Sequence, residues 1–349
     1  MKDTKNTFQN IHYNRQKPSF CLKVALGVGE FFYKKIINLK NFLYEINFLK
    51  EQKTDSYVIC VGNLTTGGVG KTPIVIDLAN ELAKKEDIAI ISRGYKSKLS
   101  KKEAHIIKDF KELKFKNGSL CGDEPYQLAK KVKNNVVVIT CPNRKKAIDL
   151  ARIKFGIKTV VLDDGFSNRK VKKDKTILVI DSKMRFGNEH LLPFGPLREP
   201  ISEIKRADEI ILVNKGDENI DEARLWVEKF DKPIKIATFE PKRIYNLQSK
   251  AQVVNPKKQK AVAFCAIGQP SQFFDFAKRY YALAETVSFD DHHGYTKKDI
   301  KELAKVAKRN KTNIFITTQK DEAKLKCLVE DVSGYSFNVM ELGVRIEEQ

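Results

Sequence analysis

An apolar run that breaks into glycines and then into Lys-Thr dictates much of what this chain can become. Residues 57–72 are Tyr-Val-Ile-Cys-Val-Gly-Asn-Leu-Thr-Thr-Gly-Gly-Val-Gly-Lys-Thr. The opening residues suit a buried strand, and Pro73 suits the first turn of a helix, where its missing N–H would be unpaired anyway. Between them, Gly67, Gly68 and Gly70 let backbone amides turn inward around an anion with no Cβ in the way. The helix start adds partial positive charge. Lys71 is placed to reach the β- and γ-phosphates of a nucleotide, and the Thr72 hydroxyl to face Mg²⁺. The strict spacing of such a loop wants glycine at position 65, where this chain has Thr65. The string follows the Gly-Gly-x-Gly-Lys-Thr variant instead; a glycine-rich turn with a chance Lys-Thr is the alternative.

Around this motif, short Val- and Ile-rich runs alternate with helical periodicity. Strands are expected at 57–61, 88–92, 136–140, 159–163, 176–181 and 209–214, each nearly continuous in hydrophobicity, as strands covered on both faces of a parallel sheet are. Helices are expected between several of them, at 73–85 and 144–154. The alternation predicts an α/β, P-loop NTPase-like fold with a doubly wound, mostly parallel sheet. The polar, basic stretch 246–260 marks a connection, beyond which strands at 261–267, 286–289 and 313–317 alternate with helices starting at Pro270, Thr296 and Asp321. Three regions follow: an N-terminal amphipathic helix in 1–50, the phosphate-binding domain in 51–250, and a second, smaller α/β domain in 251–349. A chain of 349 residues accords with two domains. Its 42% hydrophobic content excludes a disordered polymer, and the lack of any uncharged apolar run of about 18 residues argues against a polytopic membrane protein.

The balance of 65 Lys and Arg against 44 Asp and Glu gives a net charge of +21, which favours an anionic partner unless it is drift on solvated faces. The six cysteines form no Cys-x-x-Cys pair, consistent with reduced thiols facing the cytosol. The histidines His12, His105, His190, His292 and His293 show no zinc spacing.

Four further elements carry candidate chemistry. Asp163-Asp164-Gly165 ends an apolar strand at the sheet edge where the phosphate loop lies, and two carboxylates there suit Mg²⁺. Gly122-Asp123-Glu124-Pro125 precedes a helix; Asp123 could cap it or accept a proton from an attacking hydroxyl. Asp290-Asp291-His292-His293 closes a strand in the second domain, where an imidazole could orient or tune a carboxylate. Leu191–Pro200 is a proline-rich loop in which Arg198 offers a planar fork suited to phosphate.

Taken together, these elements resemble those of the tetraacyldisaccharide 4′-kinase (lipid A 4′-kinase) family. The resembling residues are Val61–Pro73, Ser92-Arg-Gly-Tyr95, Gly122–Pro125, Leu162-Asp-Asp-Gly-Phe166, Leu191–Pro200, Phe289–His292 and Thr318-Gln-Lys-Asp321. The resemblance implies ATP-dependent phosphorylation of the 4′-hydroxyl of a tetraacyl glucosamine disaccharide 1-phosphate. It implies a catalytic base at Asp123 assisted by His292, and ATP held by Asn63, Thr65, Thr66, Gly67, Gly68, Val69, Gly70, Lys71, Thr72 and Arg198. It implies Mg²⁺ held by Thr72, Asp163, Asp164 and Glu199. The chain departs from the family's usual Gln-His at Ser167-Asn168 and from its usual Glu at Gln319, so no role is carried to Ser167 or Gln319.

The first fifty residues hold nine basic and three acidic side chains. Val28, Phe32, Ile36, Leu39, Leu43 and Ile46 recur on one helical face. A basic, apolar-faced helix fits the anionic surface of the inner membrane, with the protein peripheral or monotopic on its cytoplasmic side; packing on the protein's own core is the alternative. A P-loop ATPase of the partitioning or iron-protein class shares Gly-Gly-Val-Gly-Lys-Thr but usually carries Lys where Thr66 stands. Nucleic acid is not an expected partner, because no aromatic-basic recognition motif is present.

Overall fold

A computed structural model describes residues 7–348 apart from 9, 96, 117, 217–218, 255, 258, 269, 291–292 and 330–331. The chain divides into two units, residues 1–237 with 346–349, and Thr238–Arg345.

The Val- and Ile-rich runs become strands because only a sheet covered on both faces hides such runs completely. In the first unit these are β1 (Tyr57–Gly62), β2 (Ile88–Ser92), β3 (His105–Lys108), β4 (Val136–Thr140), β5 (Thr159–Asp163), β6 (Lys175–Asp181) and β7 (Glu209–Asn214). Every residue of β2, β4 and β5 is buried. They lie in the order β7-β6-β1-β5-β2-β4-β3, with parallel ladders throughout except the β3 edge, which is antiparallel to β4. Helices Lys71–Leu82 and Arg144–Phe155 contribute their small and branched faces, including Ile74, Val75, Ala147 and Ala151, to the core.

β1 pairs with β5 on one side and β6 on the other, and the chain crosses from one side to the other between β5 and β6. The carboxyl end of β1 is therefore a switch point, where open α/β sheets bind ligands. The β1–β5 register sets Val61 opposite Asp163. The two chains then converge so closely that a Cβ on Gly62 would lie 2.5 Å from Phe166 Cβ and 2.8 Å from its backbone nitrogen. Only glycine fits there.

The N-terminal helix, Phe20–Glu45, docks on the first unit through polar anchors. Glu30 accepts from the Leu191 amide and from His190 Nδ1, each at 2.8 Å. Tyr33 donates to the Arg198 carbonyl at 2.9 Å. Lys40 and Asn41 donate to the two oxygens of Glu199 at 2.7 and 3.0 Å. The opposite face carries Val24, Val28, Phe31, Phe32, Leu39 and Phe42, all exposed, with Phe32 at 62%. The apolar stripe thus faces away from the core. No described helix is long and apolar enough to cross a membrane.

The second unit holds β9 (Lys260–Cys265), β10 (Ala282–Ser288), β11 (Ile314–Thr318), β12 (Ser336–Glu348) and most of β8 (Ile234–Asn246), in the order β10-β9-β11-β12-β8. Phe264, Phe315 and Phe337 form its aromatic centre. The boundary falls inside β8 and not in the polar stretch 246–260. That stretch begins as a turn of the second unit: Asn246 Oδ1 accepts the Gln248 and Ser249 amides, and the Asn246 amide reaches the Ala251 carbonyl. The N-terminal helix clusters with the first unit and forms no region of its own.

Replacing Gly62 by alanine is expected to lower stability by about 1–3 kcal/mol through overpacking against Phe166. A thermal midpoint equal to that of the parent would contradict the close approach.

Candidate active site

β1 delivers Asn63 into the crevice, and Asn63 is where the site begins. It is buried, and its Nδ2 donates to the Thr65 carbonyl at 2.8 Å and to Thr65 Oγ1 at 3.1 Å, bending the chain into the loop. Gly67 and Gly70 then take φ values of 108° and 100°, a region that side chains resist. Gly70 is the residue before helix Lys71–Leu82, so Lys71 and Thr72 stand on its first turn.

Lys71 donates to Asn63 Oδ1 at 2.8 Å and lies 3.4 Å from Asp164. Arg198 grips Asp164 with two bonds of 3.0 and 2.9 Å and also donates to the Asn63 carbonyl at 2.9 Å. The loop Leu191–Pro200 is itself bonded to the glycine-rich loop: the Arg198 amide donates to Leu64 O and the Thr66 amide to Pro196 O, each at 2.7 Å. Thus Asn63, Lys71, Asp164 and Arg198 form one cluster at the carboxyl ends of β1 and β5. Two cations converge where a phosphate chain would carry its negative charge.

The paired carboxylates differ. Asp163 is 5% exposed, and burial pushes its pKa up to about 7 against the opposing pull of Lys71. Burial would also raise Asp164, but Lys71 and Arg198 outweigh it and hold that carboxyl below the usual range. Asp164 has φ 54°, the left-handed geometry that Asp tolerates better than most residues, and it is the more open of the two at 38%. No hydrogen bond within the described residues reaches the Asp163 carboxylate. Among the described residues no group of three or more His, Cys, Asp or Glu is gathered as a metal site. Mg²⁺ needs no such cage, since it takes one or two carboxylates together with phosphate oxygens. Asp163, Asp164 and the Thr72 hydroxyl are oxygen donors of the kind it takes.

Helix Asp123–Lys131 places Asp123 and Glu124 on its first turn, and the negative charge of Glu124 is among the causes that raise Asp163. Gly122 (φ 93°) lets it approach the Tyr95 carbonyl, where a Cβ would sit at 2.8 Å.

Glu199 is not part of this cluster. Expected beside a metal, it is 0% exposed, and both its oxygens are taken by Lys40 and Asn41 of the N-terminal helix. Neighbouring residues of an extended loop point opposite ways, so Arg198 serves the site and Glu199 the helix. His292 and Asp291 lie outside the described residues. His293 stacks on Phe289 and meets Asp299 at 3.1 Å. Asp321, fully buried in the second unit, accepts from Thr318 Oγ1 and the Ala266 amide, joining the ends of β9 and β11. Asn168 caps a local turn by accepting the Lys170 amide.

Arg144 carries no motif signal in the sequence. It is 3% exposed on the first turn of its helix, donates to the Cys141 carbonyl at 2.9 Å, and its charge acts on Asp163 and Asp164. An Arg directly after the helix-capping Asn143 was the available signal.

A glycine-rich loop closed by Lys71, joined to paired carboxylates at a switch point, defines the phosphate-loop nucleotide-binding class. The model of one family, tetraacyldisaccharide-1-P 4′-kinase, matches residues 22–349. The chain belongs to this family. It is 33% identical over 351 residues to the tetraacyldisaccharide 4′-kinase of Halothermothrix orenii, covering 94% of this chain and 90% of that protein. It is 36% identical to the Aquifex aeolicus enzyme of the same name over 324 residues, 91% and 94% of the two chains. The crystal structure of LpxK from Aquifex aeolicus in complex with ATP superposes with a TM-score of 0.72, at 32% identity and over 93% of this chain and 95% of that one.

The Asp163 environment has a testable consequence. With its pKa raised from 3.8 to about 7, the folded protein keeps a proton that the unfolded chain loses. Stability therefore falls as pH rises through that window. Asp163→Asn has no such proton to lose and is expected to unfold above the parent at pH 8, with the gap closing towards pH 4. Equal midpoints at pH 8 would contradict a buried, costly carboxylate.

Proposed function

We propose that this chain is an ATP-dependent kinase that phosphorylates the 4′-hydroxyl of a tetraacyl glucosamine disaccharide 1-phosphate, a step of lipid A biosynthesis. The observation that carries the reading is the family match across residues 22–349 together with the Asn63–Lys71–Asp164–Arg198 cluster at the end of β1.

The loop amides and Lys71 hold the ATP phosphates, and Arg198 meets the charge that spreads over the transferring group. Asp123 accepts the proton of the attacking sugar hydroxyl. Mg²⁺, held by Thr72, Asp163 and Asp164, would neutralise charge between the outer phosphates. Arg198 and Lys71 keep Asp164 ionised for that purpose.

A tetraacylated substrate stays in a bilayer, so the enzyme works at its surface, which we take to be the cytoplasmic face of the inner membrane. The outward apolar stripe of the N-terminal helix, flanked by Lys23, Lys34 and Lys35, supports this. Buried aromatic side chains and anionic headgroups both favour such a helix, at about 1 kcal/mol per nearby basic residue.

Incubation with γ-phosphate-labelled ATP and the disaccharide 1-phosphate tests the reading. It expects a labelled bisphosphorylated lipid from the parent and a rate reduced by about 10²-fold or more in Asp123→Asn. An undiminished rate in that variant removes the base role, and the absence of labelled lipid with the parent removes the activity. Replacing Phe31 and Phe32 together by serine is expected to release the protein from anionic vesicles in flotation while leaving ATP binding intact; unchanged flotation contradicts the membrane role of the stripe.

A further inference from the structure

The amides of a phosphate loop must face the anion, so its carbonyls face outward and need donors of their own. Two of these carbonyls are met by side chains from outside the loop. Tyr13 Oη donates to Thr66 O at 3.3 Å, and Lys215 Nζ donates to Gly68 O at 2.7 Å. Lys215 directly follows β7. Its ammonium also pairs at 2.8 Å with Oδ2 of Asp181, the last residue of β6. The other Asp181 oxygen accepts the Lys183 and Met184 amides at 3.1 and 2.9 Å, so the whole carboxylate is committed. Asp181 is 1% exposed, and the Lys215 side chain 12%.

Gly68 has no side chain to fix it, and a Cβ there would meet nothing within 4 Å. Packing therefore does not set the direction of the Gly68 peptide. Among the described bonds, its carbonyl is held by the ammonium, while the Val69 amide on the other end of the same peptide meets the Gly67 carbonyl at 3.2 Å. A phosphate oxygen, being charged, competes well for that amide. If the peptide turned over, a carbonyl oxygen would face the phosphates and repel them. The sheet order β7-β6-β1 puts the three strand ends side by side, which lets one lysine span from Asp181 to the loop.

We propose that Lys215, oriented by Asp181, is a positioning residue for nucleotide binding: it holds the Gly68 carbonyl outward so that the loop amides stay turned to the triphosphate. This rests on the reading of residues 65–72 as the triphosphate cradle. Lys215 acts through the loop and not on the base of the nucleotide, so its effect extends to a ligand that has no base.

The test titrates the full chain, with magnesium, against ATP and against inorganic tripolyphosphate. Lys215→Met is expected to weaken both by about tenfold or more, the size of a lost charge-assisted hydrogen bond. The KM for ATP rises by a similar factor while kcat changes little, and Lys215→Arg restores most of both affinities. Unchanged affinities overturn the proposal. So does a loss confined to ATP, which indicates a base contact, or a fall in kcat at constant KM. Should Lys215→Met not fold, Lys215→Ala removes the donor with less apolar bulk and carries the same expectation; wild-type affinity in that variant overturns the proposal. Lys71→Ala separates the two levels. If it still binds tripolyphosphate as the parent does, the cradle reading fails. If it loses binding while Lys215→Met does not, only the positioning role fails.

Discussion

The β1–β5 ladder pairs Val61 with Asp163, so two neighbouring parallel strands leave the sheet side by side, and Gly62 lets the second pass within contact of the first. Everything in the site follows from that contact. Asn63 can then share Lys71 and Arg198 with Asp164, and a loop rich in glycine acquires a fixed wall of cations and carboxylates. The contrast between the two carboxylates arises in the same place. One is turned into the protein and prefers its proton, while the other is kept charged by a guanidinium fork and an ammonium.

The Leu191–Pro200 loop links this wall to the N-terminal helix. Its residues alternate between two tasks: Pro196 and Arg198 bond to the glycine-rich loop and its acidic partner, while the Leu191 amide, the Arg198 carbonyl and Glu199 bond to the helix. The helix is held by polar groups and shows its apolar side to the surroundings. That is the reverse of a helix packed on a core.

The phosphate loop, the Asp163-Asp164 turn and the alternating strands were legible because each is written locally: a strand buried on both faces is continuously apolar, and a loop that cradles phosphate needs glycines at fixed places. The edge strand β3 and the long strands β8 and β12 were not, because they mix charged and apolar residues and belong to no continuous run. The polar stretch 246–260 reads as a connection for a related reason, yet it begins as a hydrogen-bonded turn of the second unit. The partners of Glu199 could not be seen, since Lys40 and Asn41 lie about 160 residues away in sequence and only tertiary packing brings them together. The stripe on the N-terminal helix was legible as apolar and outward-facing, but its anchors on the 191–200 loop were not, because tertiary packing alone supplies them.

The bend after β1 is the proposed grip on a triphosphate. Isothermal titration of the folded full-length chain with ATP in saturating magnesium tests it most directly. The expected result is uptake of one nucleotide per chain, lost when Lys71 is replaced by alanine. A folded protein that takes up no ATP under those conditions would contradict it.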